Sequence, residues 1–368
     1  MTDVLGMAVI EGMPDGLLGL ATALVGIPSV SHAEVLLADA VEDALRRCPW
    51  LDVERVGDNV IARTDLGRSH RVVLAGHLDT VPAAEGNDVP RIEGTTLYGV
   101  GAADMKGGLA VFLHLAAGIP DPAVDVTWVF YVGEEVAQEH NGLRHLWRDR
   151  PDLLVGDAAI LGEPTGGHVE AGCQGALRIR LSLVGSRAHT ARPHVGRNAI
   201  HRLAPLLAAV ASFEVRRPVL DGCEYAEQLQ VVSVEGGVAG NVVPDHAAIV
   251  LNHRFAPDRS AKEAEAAVRD LLDPWIEADD RWELIEAATA APPSLDHPLL
   301  SGLVDASGEA PRAKVGWTDV ASFWEHGIPA ANFGPGDPLC AHTPGEHVDA
   351  SQLTRVADVL SGLLQGAH

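Results

Sequence analysis

Basic side chains are scarce in this 368-residue chain, where 27 Lys and Arg stand against 51 Asp and Glu, a formal charge of −24. Such a chain repels phosphate backbones and anionic lipid, so neither nucleic acid nor a membrane surface is expected as a partner. Cysteine is scarce too. Cys48, Cys173, Cys223 and Cys340 lie far apart and form neither a C-x-x-C pair nor a dense framework, which excludes a disulfide scaffold and fits a reducing cytoplasm. The first 45 residues hold no Lys or Arg, and Asp3, Glu11 and Asp15 interrupt the apolar residues there, so no secretory leader is expected. The apolar run Leu17 to Val25 is too short to span a bilayer. It reads as a buried helix, with Asp15 as N-cap and Pro28 beyond its end. Internal repeats and low-complexity tracts are missing.

What is present is ample material for a core. Hydrophobic residues make up 47% of the chain, and its length exceeds what one hydrophobic core usually serves, so two domains are expected. Helical spacing over 33–47 gives way to β-like runs at 52–56, 59–63 and 71–76. A helix is then expected over 105–117, a fully apolar strand over 125–132, a helix over 142–148 and a strand over 158–161. That alternation predicts an α/β layer structure, with ligands gathered at the carboxyl ends of strands. From Ala176 the pattern becomes β-α-β-β-α-β: a strand to Val184, a helix 199–211, strands 228–235 and 248–255, a helix 261–272 and a strand 281–287. The expected division is a discontinuous first domain, 1–176 with 290–368, and an inserted second domain, 177–289.

The chemistry gathers at strand ends. His77 and Asp79 close the run Leu74–Pro82, and residues i and i+2 of an extended segment share a face, so Asp79 can hold the second ring nitrogen of a metal-bound imidazole. Asp104, Glu135, Glu163 and His342 also follow β-like runs in Gly-rich contexts. Each alone reads as a hydrogen-bonded loop residue. Together, five mixed His and carboxylate ligands suit two divalent ions sharing one carboxylate, a clamp for hydroxide and a carbonyl oxygen. Adjacent side chains of an extended segment point to opposite sides, so Glu134 and Glu135 have different tasks. Glu135 is expected to bind metal and Glu134 to take a proton from the attacking water and return it to the leaving amine.

The segments GHLDTVP, GAADMKGGLA, GEE and LGEPT, with the late His342, resemble the M20 family of dizinc amidohydrolases, in the family's order and spacing and over essentially the whole chain. The resemblance implies a mixed-sheet catalytic domain with an inserted ferredoxin-like lid that makes a homodimer. It implies two zinc ions per subunit, with cobalt able to substitute: His77 and Glu163 on one, Glu135 and His342 on the other, and Asp104 between them. It also implies that His189 enters the partner subunit's site to hold the oxyanion and that Asn241 contacts substrate. His194 and His201 read as surface histidines. Arg254 can fork onto a substrate carboxylate, or else pair with Asp258 or Glu263. Thr318 and the loop around Gly336 are expected to line the cavity, and Cys340 to be a wall thiol.

EAGCQGALR, GGVAGNVVPD, NHRFAPDRS, GWTDVASF and NFGPGDPLCAHT are most similar to the family's actinobacterial succinyl-diaminopimelate desuccinylases. That subgroup implies hydrolysis of N-succinyl-LL-2,6-diaminopimelate to succinate and LL-2,6-diaminopimelate, in lysine and diaminopimelate biosynthesis. Two departures stand out. Cys173-Gln174-Gly175-Ala176 replaces an arginine-rich entry to the lid, leaving Arg178, Arg192 or Arg254 for the succinyl carboxylate, and Val100 replaces an arginine before the Asp104 turn. The alternative within the family is another N-acyl amino acid amidohydrolase: an acetylornithine deacetylase, an aminoacylase or a dipeptidase. A binding protein on the same fold would have no use for Glu134.

Overall fold

The structure, a computed structural model, describes residues 16 to 366, so the expected N-cap Asp15 lies outside the described residues. Its contacts divide the chain into two units: one runs to Ala171 and includes Ser294–Arg312 and Ser322 onward, the other is Gly172–Pro293 with Ala313–Ala321. Among the described residues no helix is long and apolar enough to cross a membrane.

The interior strands of the first unit are apolar runs without polar alternation. Arg71–His77, Asp125–Tyr131 and Ala158–Leu161 are buried along almost their whole length, as parallel strands covered on both faces must be. They pair in parallel, with His77 opposite Tyr131 and Val72 opposite Ala158, and Ala330–Asn332 extends the parallel set. Asn59–Arg63 joins Asp125–Tyr131 antiparallel and pairs with Asp52–Val56, so the sheet is mixed. The helix Gly107–Gly118 packs with Gly16–Val25 and Ala350–Leu364, bringing Leu109 and Phe112 into one core with Leu24 and Leu353. Three parallel strands thus end side by side, which gathers the segments after His77, Tyr131 and Leu161. A small antiparallel sheet of Arg91–Glu93, Thr96–Tyr98 and His347–Asp349 ties the late chain to the segment before Asp104.

In the second unit, burial alternates along Gly175–Val184, and Leu177, Ile179, Leu181 and Leu183 join a core with Ile249, Leu251, Leu206 and Val268. The strand order is Gln228–Gly236, His246–Phe255, Gly175–Val184, Arg281–Ala288, with every pair antiparallel. With the helices Leu203–Ala211 and Ala261–Leu272 between strands, this is the ferredoxin-like arrangement. The first of these helices starts later than its apolar spacing suggests. Asn198 turns its side chain onto the N–H groups of Ile200 and His201, and that local turn occupies the residues before Leu203.

Candidate metal centre

His77 is the last residue of its strand and is buried. Its Nε2 lies 3.1 Å from Asp104 Oδ1, while Nδ1 faces the Asp79 backbone carbonyl at 3.0 Å and the Asp79 carboxylate at 3.5 Å. Asp104 stands in the turn ahead of Gly107–Gly118. The helix expected from Met105 begins two residues later, because Asp104 (φ −118°, ψ 95°) and Met105 (φ −130°, ψ 34°) leave helical geometry. The other Asp104 oxygen lies 3.5 Å from His342 Nε2, which is 2.8 Å from Glu135 Oε1.

Donor atoms of His77, Asp104 and Glu163 therefore converge, as do those of Asp104, Glu135 and His342, each set within 4.8 Å, and Asp104 belongs to both. A third convergence joins His77 with Glu134 and Glu135. Gly133 makes the turn that presents both glutamates. Its φ is +73°, and a Cβ there would fall 2.4 Å from the His140 carbonyl oxygen.

Burial disfavours an imidazolium at His77, yet Asp104 and Asp79 outweigh it and hold that group well above its ordinary range. Asp104 and Glu135 push His342 up to about 10 against a smaller effect of burial. Burial would raise Asp79, but His77, Ser31 and the Glu135 N–H bring it down to about 2. Three carboxylates converge on two imidazoles, His77 buried and His342 half-exposed, and they favour positive charge because carboxylates drawn out of water need a cation beside them. Nitrogen and oxygen donors of this kind suit a divalent transition metal, so the residues fit a metal centre.

His189, Asn241, Arg254 and Thr318 belong to the second unit. His189 is exposed and bridges Val242, and Thr190 N–H donates to the Asn241 carbonyl. The His189 Nδ1 accepts the Ala191 N–H at 3.0 Å, which leaves the neutral ring's proton on Nε2. Arg254 makes neither ion pair weighed for it: Asp258 pairs with Arg216, and Glu263 closes a capping box with Ser260. Thr318 is buried beside Cys173, whose thiol reaches the Thr318 carbonyl. Gly336, in the first unit, has φ +89° and comes so close to Ala103 that a Cβ would sit 2.8 Å from the alanine's own. The Cys340 thiol turns to the carbonyls of Asp337 and His347, away from a ligand's role.

Residues 73–366 match peptidase family M20/M25/M40. The chain belongs to this family. A succinyl-diaminopimelate desuccinylase of Corynebacterium glutamicum is 46% identical over 94% of this chain and 95% of its own length. A Mycobacterium tuberculosis protein provisionally given the same desuccinylase name is 51% identical, covering 94% of this chain and 97% of its own. In fold, the chain superposes on the crystal structure of Bacillus cereus aminopeptidase PepT with a TM-score of 0.77 at 18% identity, covering 95% of this chain and 97% of that one.

Around this M20 centre lie groups that the sequence pattern does not single out. Ser31 Oγ donates to Asp79 Oδ2 at 2.8 Å, and the Asp79 carboxylate accepts the main-chain N–H groups of Glu134 and Glu135. Glu346 accepts from the main chain at Ala103 and Asp104. Both contacts run to backbone donors, which carry no residue-type signal. The one usable sign is a carboxylate four residues after His342, just before the strand His347–Asp349.

Proposed function

We propose that this chain is a zinc-dependent succinyl-diaminopimelate desuccinylase, hydrolysing N-succinyl-LL-2,6-diaminopimelate to succinate and LL-2,6-diaminopimelate in the cytoplasm. The observation that carries the reading is Asp104, one carboxylate shared by two converging donor sets, one with His77 and Glu163 and one with Glu135 and His342. The names of the relatives at 46% and 51% identity supply the substrate.

His77, Asp104, Glu135, Glu163 and His342 would hold two zinc ions, with cobalt able to substitute, which when bound would supply Lewis acidity for water and the amide carbonyl. Glu134, whose main-chain N–H is fixed by Asp79, takes the proton of the attacking water on its carboxylate and delivers it to the departing amine. His189 of a second subunit donates a hydrogen bond from its Nε2–H to the oxyanion, in a homodimer formed through residues 177–289 acting as a lid. Asn241, Arg254, Thr318 and the Gly336 loop contact substrate. The absence of Arg254 from the ion pairs at Asp258 and Glu263 supports its guanidinium as a fork for a substrate carboxylate.

The deciding experiment compares kcat/KM for N-succinyl-LL-2,6-diaminopimelate with that for N-acetylornithine on zinc-saturated protein. Preference for the succinyl substrate by orders of magnitude is expected. Equal rates, or preference for acetylornithine, would defeat the assignment.

A further inference from the structure

Glu346 is 1% exposed, and its Oε1 accepts two consecutive main-chain donors, Ala103 N–H at 3.1 Å and Asp104 N–H at 3.0 Å. The residue is itself anchored: its N–H donates to the Thr343 carbonyl and its carbonyl accepts from Gly99 N–H, both at 3.1 Å. The strand His347–Asp349 then pairs with Thr96–Tyr98. The segment that carries His342 is thereby laced to the segment that carries Asp104. The Glu346 carboxylate is the part of the lacing that grips Asp104.

That grip matters because Asp104 faces two ways, one oxygen 3.1 Å from His77 Nε2 and the other 3.5 Å from His342 Nε2. A small rotation of its backbone displaces both oxygens together, and a carboxylate serving two ions has no slack for either. Holding Glu346 near Asp104 brings two carboxylates close, and the main-chain N–H groups of Ala103 and Asp104 are the donors that keep the Glu346 oxygen there. We infer that Glu346 is a positioning residue for the two-ion centre, fixing the shared carboxylate of Asp104 relative to both ions through the Asp104 main chain. The inference rests on the two-ion reading above.

The test strips metal from wild type, E346Q, E346D and E346A, then titrates each with Zn2+ against a chromophoric chelator and with Co2+ followed by its visible spectrum. Glutamine keeps an acceptor oxygen at the same reach, whereas aspartate keeps the charge one methylene short. E346Q is expected within a few-fold of wild type. E346D and E346A are expected to lose about ten- to a hundredfold in affinity and to shift the Co2+ spectrum. Wild-type affinity and spectrum in E346D overturn the inference, as does an E346Q protein as weak as E346D. Should E346A fail to fold, the E346Q and E346D pair decides. A wild type that binds fewer than two ions defeats the two-ion reading separately, and the E346D loss is then read on the ion that is bound.

Discussion

Asp79 and Glu134 are joined through the main chain: Asp79 Oδ1 accepts the Glu134 N–H at 3.0 Å, and Oδ2 accepts the neighbouring Glu135 N–H at 3.1 Å. One carboxylate thus fixes the backbone of both the proposed base and a proposed ligand, and it also meets the Ser31 hydroxyl and the His77 ring. Replacing Asp79 by Asn turns an amide NH2 towards one of those donors. A fall of about ten- to a hundredfold in activity or metal affinity is expected. Steady-state kinetics together with metal analysis check it, and a D79N enzyme matching wild type in both would remove Asp79 from the account.

Glu134→Gln keeps the shape of the side chain and removes the proton acceptor. The expected result is a kcat lower by about 10²–10⁴, with zinc content unchanged by elemental analysis. Near wild-type turnover in metal-loaded E134Q contradicts the proton-transfer scheme.

The proposed action of His189 in a partner subunit's site predicts complementation between two dead variants. Mixed and re-equilibrated H189A and E134Q subunits should recover roughly a quarter of wild-type activity, because half of randomly formed dimers are mixed and each holds one complete site. No recovery on mixing, with hybrid dimers demonstrated by mass spectrometry, means that His189 does not serve a partner's site.

Three of the five proposed ligands were legible because each stands where an apolar run stops: His77 after Leu74–Gly76, Glu135 after Asp125–Tyr131 and Glu163 after Ala158–Leu161; Asp104 and His342 instead lie in turns well past Thr96–Tyr98 and Ala330–Asn332. The inserted fold was legible for the same reason, since alternation of period two along Gly175–Val184 separates it from the continuous runs of the first unit. Glu346 was not, because its partners at Ala103 and Asp104 lie more than 240 residues away and are main-chain groups. Thr318 follows the last part of the first-unit pattern in sequence, yet Ala313–Ala321 makes its contacts within the second unit, with Trp317 Nε1 donating to the Thr289 carbonyl. Arg254 was open between two uses because pairing of Asp258 with Arg216 is a tertiary choice.

Asp125 gives a stability prediction away from the chemistry. Buried at the start of its strand, it accepts Leu66 N–H, Arg68 N–H and the Thr64 hydroxyl at 2.8, 2.9 and 2.8 Å. Burial alone would raise its pKa, but those donors and Arg71 hold it below the ordinary carboxylate value. A depressed native pKa contributes stability that is complete above the unfolded value of about 4 and is lost as pH falls through the native one. D125N should therefore melt earlier than wild type at pH 7, at a cost of about 1–3 kcal/mol. The gap should narrow as pH drops below about 4. A gap that stays constant to the lowest pH tolerated would contradict this.

The two-ion centre around Asp104 is tested most directly by anomalous diffraction at the zinc edge from crystals of the zinc-loaded protein. Two peaks roughly 3.5–4 Å apart are expected, with one Asp104 oxygen on each, His77 and Glu163 at the first and Glu135 and His342 at the second. A single peak, or two peaks that Asp104 does not join, would contradict the account.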